Sequence, residues 1–312
     1  PALPLCMEDQ FAGELNTSPV IQESDLAPLK PACDLIINGT AHTPGRVAVP
    51  EMFARVKLSV SSGAVLVDKT LRITGQRFYQ RLSLTDQWFE TEPEPFISLP
   101  LDDRYAFGGE CRVDAGSEFA AQIPDSARLM EAQRRDHPNA PSAPLAHSVC
   151  PVNPLGRGYM QPWYLRACKL SQVEAPRILA VDSPFTLNEF TACLAGEADW
   201  FAPAFQPAGF GAIARTWLPR LPLAGTYDQH WLETQHPDLP DDFDLGYWNC
   251  APDNQQFPYP EPGLECVLSG FSPDGDIRFA LPAHEGRILL RMHNGGLVPQ
   301  KMHLDTLIID TN

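Results

Sequence analysis

Asp238, Asp241, Asp242 and Asp244 crowd into seven residues, with Asp228 and Glu233 close by. Carboxylates at this density suit two kinds of chemistry. A facing pair can share acid, base or nucleophile work on a glycosidic bond, and oxygen ligands can hold calcium. The spacing of an EF-hand calcium loop is absent. Each of these aspartates stands in a Pro-rich stretch, where Asp ordinarily accepts nearby backbone amides. They are therefore expected to form turns, and a carboxylate-dependent hydrolase of glycans or peptidoglycan is the alternative.

Other reactive types give weaker signals. The eight cysteines, Cys6, Cys33, Cys111, Cys150, Cys168, Cys193, Cys250 and Cys266, form no C-x-x-C pair and have no His at zinc-ligand spacing. They read as isolated thiols of a reducing cytosol. No G-x-S-x-G elbow is present. Phe107-Gly-Gly and Leu155-Gly-Arg-Gly are too short for a P-loop, and Gly209-Phe-Gly-Ala-Ile lacks a strand-turn-helix setting. His42, His284, His293 and His303 sit on or beside strand patterns and read as structural. Asn38-Gly-Thr matches a glycosylation sequon but reads as a turn. No catalytic, cofactor-binding or metal-binding residue is expected, and no enzyme activity.

The remaining chemistry is aromatic. Trp200, Phe201, Phe205, Phe210, Trp217, Tyr227, Trp231, Phe243, Tyr247 and Trp248 fall within fifty residues. Rings of this kind either pin a loop-rich segment or line a groove for a partner. Burial is expected for most of them. A protein-binding surface is expected near Tyr227, Asp228, Asp241, Asp242, Tyr247 and Trp248.

The elements that position these residues follow from composition and periodicity. Proline contributes 32 of 312 residues, about twice the usual share. It breaks helices and central strands, so short strands and ordered loops are expected. The net charge of −16 disfavours phosphate backbones and anionic membranes as partners. No apolar run reaches 18 residues.

Residues 53–60 alternate with period two, Ser61-Ser-Gly turns, and residues 65–75 return, which predicts a hairpin. Residues 34–42 read as a strand interrupted at Asn38-Gly39, and residues 93–101 as an extended piece. Strands are expected again at 266–271, 276–282, 287–292 and 302–310, with a tight turn at Ser272-Pro-Asp-Gly. Residues 126–136 read as the best helix, capped by Asp125, inside an exposed insertion over 120–155. Thr226-Tyr-Asp-Gln reads as a capping box opening a short helix to Gln235.

The fold class is thus mainly β (α+β), a single domain over 1–312. Short antiparallel strands are expected at both ends, with a loop-rich middle and a few short helices. The chain opens on Pro1 and closes on a strand pattern, so further sequence is expected beyond each end.

A series of segments in order carries a resemblance. They are Ser24-Asp-Leu-Ala-Pro-Leu-Lys-Pro-Ala-Cys-Asp, Gly39-Thr-Ala-His, Glu94-Pro-Phe, Leu99-Pro-Leu, Tyr105-Ala-Phe-Gly-Gly and Asn153-Pro-Leu-Gly-Arg-Gly-Tyr. Pro207-Ala-Gly-Phe-Gly-Ala-Ile, Ala224-Gly-Thr-Tyr-Asp, Leu239-Pro-Asp-Asp-Phe-Asp and Asn249-Cys-Ala-Pro complete the series. Together they resemble the domain-of-unknown-function family 2169, found beside type VI secretion genes of Gram-negative bacteria. The resemblance implies a cytoplasmic adaptor or chaperone. Such a protein binds a toxic effector and helps load it onto the spike or spike-tip protein, with no catalytic residues and no cofactor. It leaves the oligomeric state open.

Overall fold

Period-two alternation builds the largest sheet. The computed structural model describes residues 5–15, 17–82, 87–114, 144–281, 283 and 286–311. In Glu51–Val60, the side chains of Met52, Ala54, Val56 and Leu58 are buried, while Phe53 and Arg55 face solvent. Val65–Thr74 pairs with it antiparallel, setting Ile73 opposite Met52 and Val67 opposite Leu58. This is the expected hairpin. Its outer neighbour comes from far along the chain. Leu264–Ser269 lies against Glu51–Val60, with Cys266 opposite Leu58 and Leu268 opposite Val56. Ile178–Ala180 closes one edge and Ile277–Ala280 the other. Each fully buried aliphatic side chain on the inner face contributes about 1.5–3 kcal/mol.

A second, three-stranded sheet completes that core. Cys33–Asn38 sits in its centre, antiparallel to Gln256–Phe257 and parallel to Thr306–Asp310. Cys33, Leu35, Ile37, Phe257, Leu307 and Ile309 join the five-stranded sheet in one apolar cluster. Ile36 points the other way, onto Val20, Ala212, Cys250 and Ala251. The antiparallel expectation therefore needs correcting at Thr306–Asp310. In the middle, where Phe107-Gly-Gly was expected as a turn, Phe107–Gly108 pairs parallel with Arg157–Gly158.

A separate core is built from rings. Tyr79 and Phe190 lie 4.6 Å apart, Phe107 and Phe185 stack at 4.0 Å, and Tyr159 meets Trp200 edge-on at 5.3 Å. The Leu187–Ala195 helix feeds Phe190 and Cys193 into it. Thr186 and Glu189 close a capping box at its start, and Gly196 ends it in the left-handed region at φ 75°.

The chain is mainly β with a few short helices, as expected, but strands also run through its middle. Gln172–Glu174, Phe78–Arg81 and Trp88–Glu90 form a small sheet. Where an exposed loop was expected, Pro144–Val149 is a strand paired with Glu110–Asp114, and Cys150, Val152 and Asn153 are buried. The helix expected over 126–136 lies outside the described residues. Asn38-Gly39 does not make a hairpin. Cys33–Asn38 ends there, and Thr40–His42 goes on to pair with Ser98–Pro100. Gly39 is packed close instead, with the Thr311 side chain and the Phe271 ring against it. Among the described residues, no helix is long and apolar enough to cross a membrane.

Candidate functional site

Asp34 is fully buried on the central strand of the smaller sheet. An unpaired carboxylate there would be prohibitively costly, and its surroundings satisfy it. Oδ2 accepts from Lys30 Nζ at 3.0 Å and from the Cys250 amide at 3.0 Å. Oδ1 accepts from Asn249 Nδ2 at 2.9 Å and from the Ala251 amide at 3.2 Å. Lys30 also donates to Thr306 Oγ1 at 2.7 Å. A cavity of about 290 Å³ borders this hub, lined in part by Glu23, Asp25, Lys30 and Asp305.

A second buried hub is Asn153. Its Nδ2 donates to the carbonyls of Asp103 and Phe107, and its Oδ1 accepts from the Leu155 amide. Gly108, at φ 146°, passes so close that a Cβ would lie 2.1 Å from Asn153 O. Tyr105-Ala-Phe-Gly-Gly and Asn153-Pro-Leu-Gly-Arg-Gly are thus two halves of one interlock.

The third hub is an ionisable group set among apolar neighbours. Lys69 falls at an inward position opposite Val56, so the hairpin drives it into the core. Nζ donates to Gly209 O at 2.5 Å and to Gln255 Oε1 at 2.6 Å, and lies over the Phe210 ring. Gln255 Nε2 in turn donates to Leu35 O and Phe210 O. Burial pulls the Lys69 amine down to about 7, against the pull of Asp103. Burial pushes Asp103 up to about 7, with Asp102 adding to the effect and Lys69 opposing it.

The six expected partner-binding residues belong to a braced outer segment. Arg220, itself buried, ties it to the body by donating to both Glu23 carboxylate oxygens, Ile213 O and Tyr247 O. Asp242 accepts from the Thr226 amide at 2.9 Å and its hydroxyl at 2.7 Å. Those bonds hold its carboxyl below the usual range. Asp228 caps the Gln229–Thr234 helix by accepting from the Trp231 amide. The cap is therefore Asp228 rather than Thr226, whose side chain is occupied by Asp242. Asp244 caps Leu245–Trp248 in the same way.

Phe243, Tyr247 and Trp248 form a triangle of half-buried rings 5.4–5.7 Å apart, and Arg220 lies over Tyr247. The Trp248 Nε1 is buried and meets no acceptor among the described residues. Tyr227, 53% exposed, packs edge-on against Trp231. Asp241 is exposed. Tyr227, Asp228, Asp241 and Asp242 are all exposed, and Asp228 and Asp242 already hold backbone amides. Of the ten rings, only Trp200, Phe210 and Trp217 are fully buried, fewer than expected.

Six of the eight thiols are poorly suited to nucleophilic attack. All eight cysteines are free. Burial pushes the Cys33 and Cys250 thiols up to about 12, and Cys111, Cys150, Cys193 and Cys266 to about 11. Such thiols stay protonated at neutral pH and are poor nucleophiles. Among the described residues, no group of three or more His, Cys, Asp or Glu could hold a metal ion.

The sequence reading missed Asp34, Lys69 and Asn153. A Lys in the middle of an apolar alternation was the available signal for Lys69. Asp34 and Asn153 stand within segments that carry the resemblance, but their roles rest largely on distant partners, Asn249, Cys250 and Ala251 for Asp34 and Asp103 and Phe107 for Asn153. Residues 1–312 match a family described as "Uncharacterized protein conserved in bacteria (DUF2169)". No curated protein and no solved structure matches the chain.

Proposed function

The chain belongs to the DUF2169 family, and from that premise we propose that it is a cytoplasmic type VI secretion adaptor. It binds a toxic effector and helps load it onto the spike complex, performing no chemistry itself. One observation carries the reading. The polar residues of the segments that mark the resemblance, Lys30, Asp34, Asn153, Asn249 and Asp242, direct their side chains at one another and at backbone groups. They hold the fold, and the exposed rings and aspartates around them are left for contact with a client. Free thiols throughout agree with a reducing compartment.

The rival hydrolase needs two carboxylates facing each other across an open cleft, roughly 5–10 Å apart. Of the two aspartates most suited to it, Asp242 accepts the Thr226 amide instead, while Asp241 is exposed. The adaptor reading is tested by tagging the full-length protein in a producing strain and identifying what co-purifies. An effector encoded nearby is expected, with loss of its spike loading when the adaptor gene is deleted. Undiminished effector stability, loading and export in the deletion strain overturns the reading.

A further inference from the structure

Arg287–Arg291 and Leu297–Lys301 form a two-stranded ribbon that stands apart from both cores. All ten residues are exposed. A lone two-stranded ribbon is marginally stable in water, and exposed apolar strands invite association.

The register sorts its two faces. Met292 N donates to Gly296 O, and Met302 N to Gly286 O. Leu290–Val298 and Ile288–Gln300 are therefore the pairs that exchange backbone bonds. One face carries Ile288, Leu290, Met292, Val298 and Met302, each 44–51% exposed. At its root this apolar face meets a cavity of about 220 Å³ lined by Leu264, Leu281, Leu304 and Leu307. The opposite face carries Arg287, Arg291 and Lys301 beside Leu289 and Leu297. Lys301 pairs with Glu261 and Arg287 has a partner of its own, so Arg291 is the cation this face offers, in a chain of net charge −16.

The same register sorts the edges. Leu289 and Pro299 face each other in a pair that exchanges no bond. The outer edge of Leu297–Lys301 therefore lacks a donor at Pro299 and is blocked. The outer edge of Arg287–Arg291 presents the amides of Leu289 and Arg291, and no other strand of the described residues lies against it.

We propose that the Arg287–Arg291 edge is a docking strand for an extended segment of a protein partner whose side chains alternate apolar and acidic. Such a segment adds a third strand. It extends the apolar face with its own apolar residues and sets a carboxylate beside Arg291. A second copy of the ribbon is disfavoured, because it would bring like charges together. An anionic membrane is disfavoured by the charge of the whole chain. The proposal rests on the adaptor reading for its choice of a protein partner.

The test uses the full chain and a labelled ten-residue peptide alternating Val and Glu, followed by fluorescence anisotropy. Saturable binding is expected, at least tenfold weaker for the peptide with Lys in place of Glu. Leu289→Pro removes an outward amide without taking a bond from the ribbon and should weaken binding at least tenfold. Arg291→Glu leaves the backbone edge intact and should shift preference toward the Lys peptide. Both variants should keep the parent's urea midpoint, since the ribbon lies outside both cores.

Absence of saturable binding, equal binding of both peptides, or an unchanged Leu289→Pro overturns the proposal. So does a dimer that Leu289→Pro abolishes, or stronger binding to phosphatidylserine vesicles than to the peptide. If the parent and Leu289→Pro capture the effector equally, this proposal falls and the adaptor reading stands. If the parent captures no effector, the adaptor reading falls and peptide binding still decides the docking edge.

Discussion

Lys69 and Asp103 are titratable groups that the fold has made reluctant to carry charge. The sign of each effect follows from the proton each state holds. Between pH 3.8 and about 7, folded Asp103 keeps a proton that the unfolded chain has lost, so stability falls as pH rises. Between about 7 and 10.5, the unfolded chain keeps a proton on Lys69 that the folded protein has lost, so stability rises with pH. Each limb slopes by at most about 1.4 kcal/mol per pH unit. Their joint contribution is lowest near neutrality. Asp103→Asn should flatten the acid limb and Lys69→Met the alkaline one, read from urea midpoints over pH 4–9. Profiles parallel to the parent's would refute the assignment.

At the scale of elements, the hairpin Glu51–Val60 and Val65–Thr74 was legible because alternation and a Ser-Ser-Gly turn are local. So were Leu264–Ser269 and Ile277–Ala280, flanking Ser272-Pro-Asp-Gly. The Leu187–Ala195 helix carried a readable signal that went unread, Thr186-Leu-Asn-Glu ahead of Phe190. Thr186→Ala should cost about 1 kcal/mol in a denaturant titration, with a matching loss in the ring core that Phe190 anchors. An unchanged midpoint would mean that packing alone holds the helix. Asn38-Gly39 misled for a physical reason: Gly serves close approach as readily as it serves turns, and only the three-dimensional neighbour Thr311 tells the two apart.

At the scale of the molecule, the long-range pairings were hidden. Nothing near Cys33–Asn38 announces that Gln256–Phe257 and Thr306–Asp310 will flank it. For the candidate site, the capping roles of Asp228 and Asp244 follow the local turn expectation, whereas Asp242 reaches back sixteen residues to Thr226; that brace and the hubs beneath it were not legible. The pairing of an early strand with a late one makes the whole chain one cooperative problem. Deletion of residues 306–312 should expose Ile36 and leave Lys30 without Thr306. A broad, low-midpoint urea transition is expected in place of a sharp one. A sharp transition at the parent's midpoint would show that the late strand is dispensable.

That parallel strand also bears on how the protein is made. Thr306–Asp310 is polymerised about 270 residues after Cys33–Asn38. At ordinary elongation rates the interval is on the order of tens of seconds. For that time Leu35, Ile36 and Ile37 form a nascent strand without its later partner, a natural target for holding factors that shield sticky chains. A product released too soon would carry the same open strand and be marked for proteolysis.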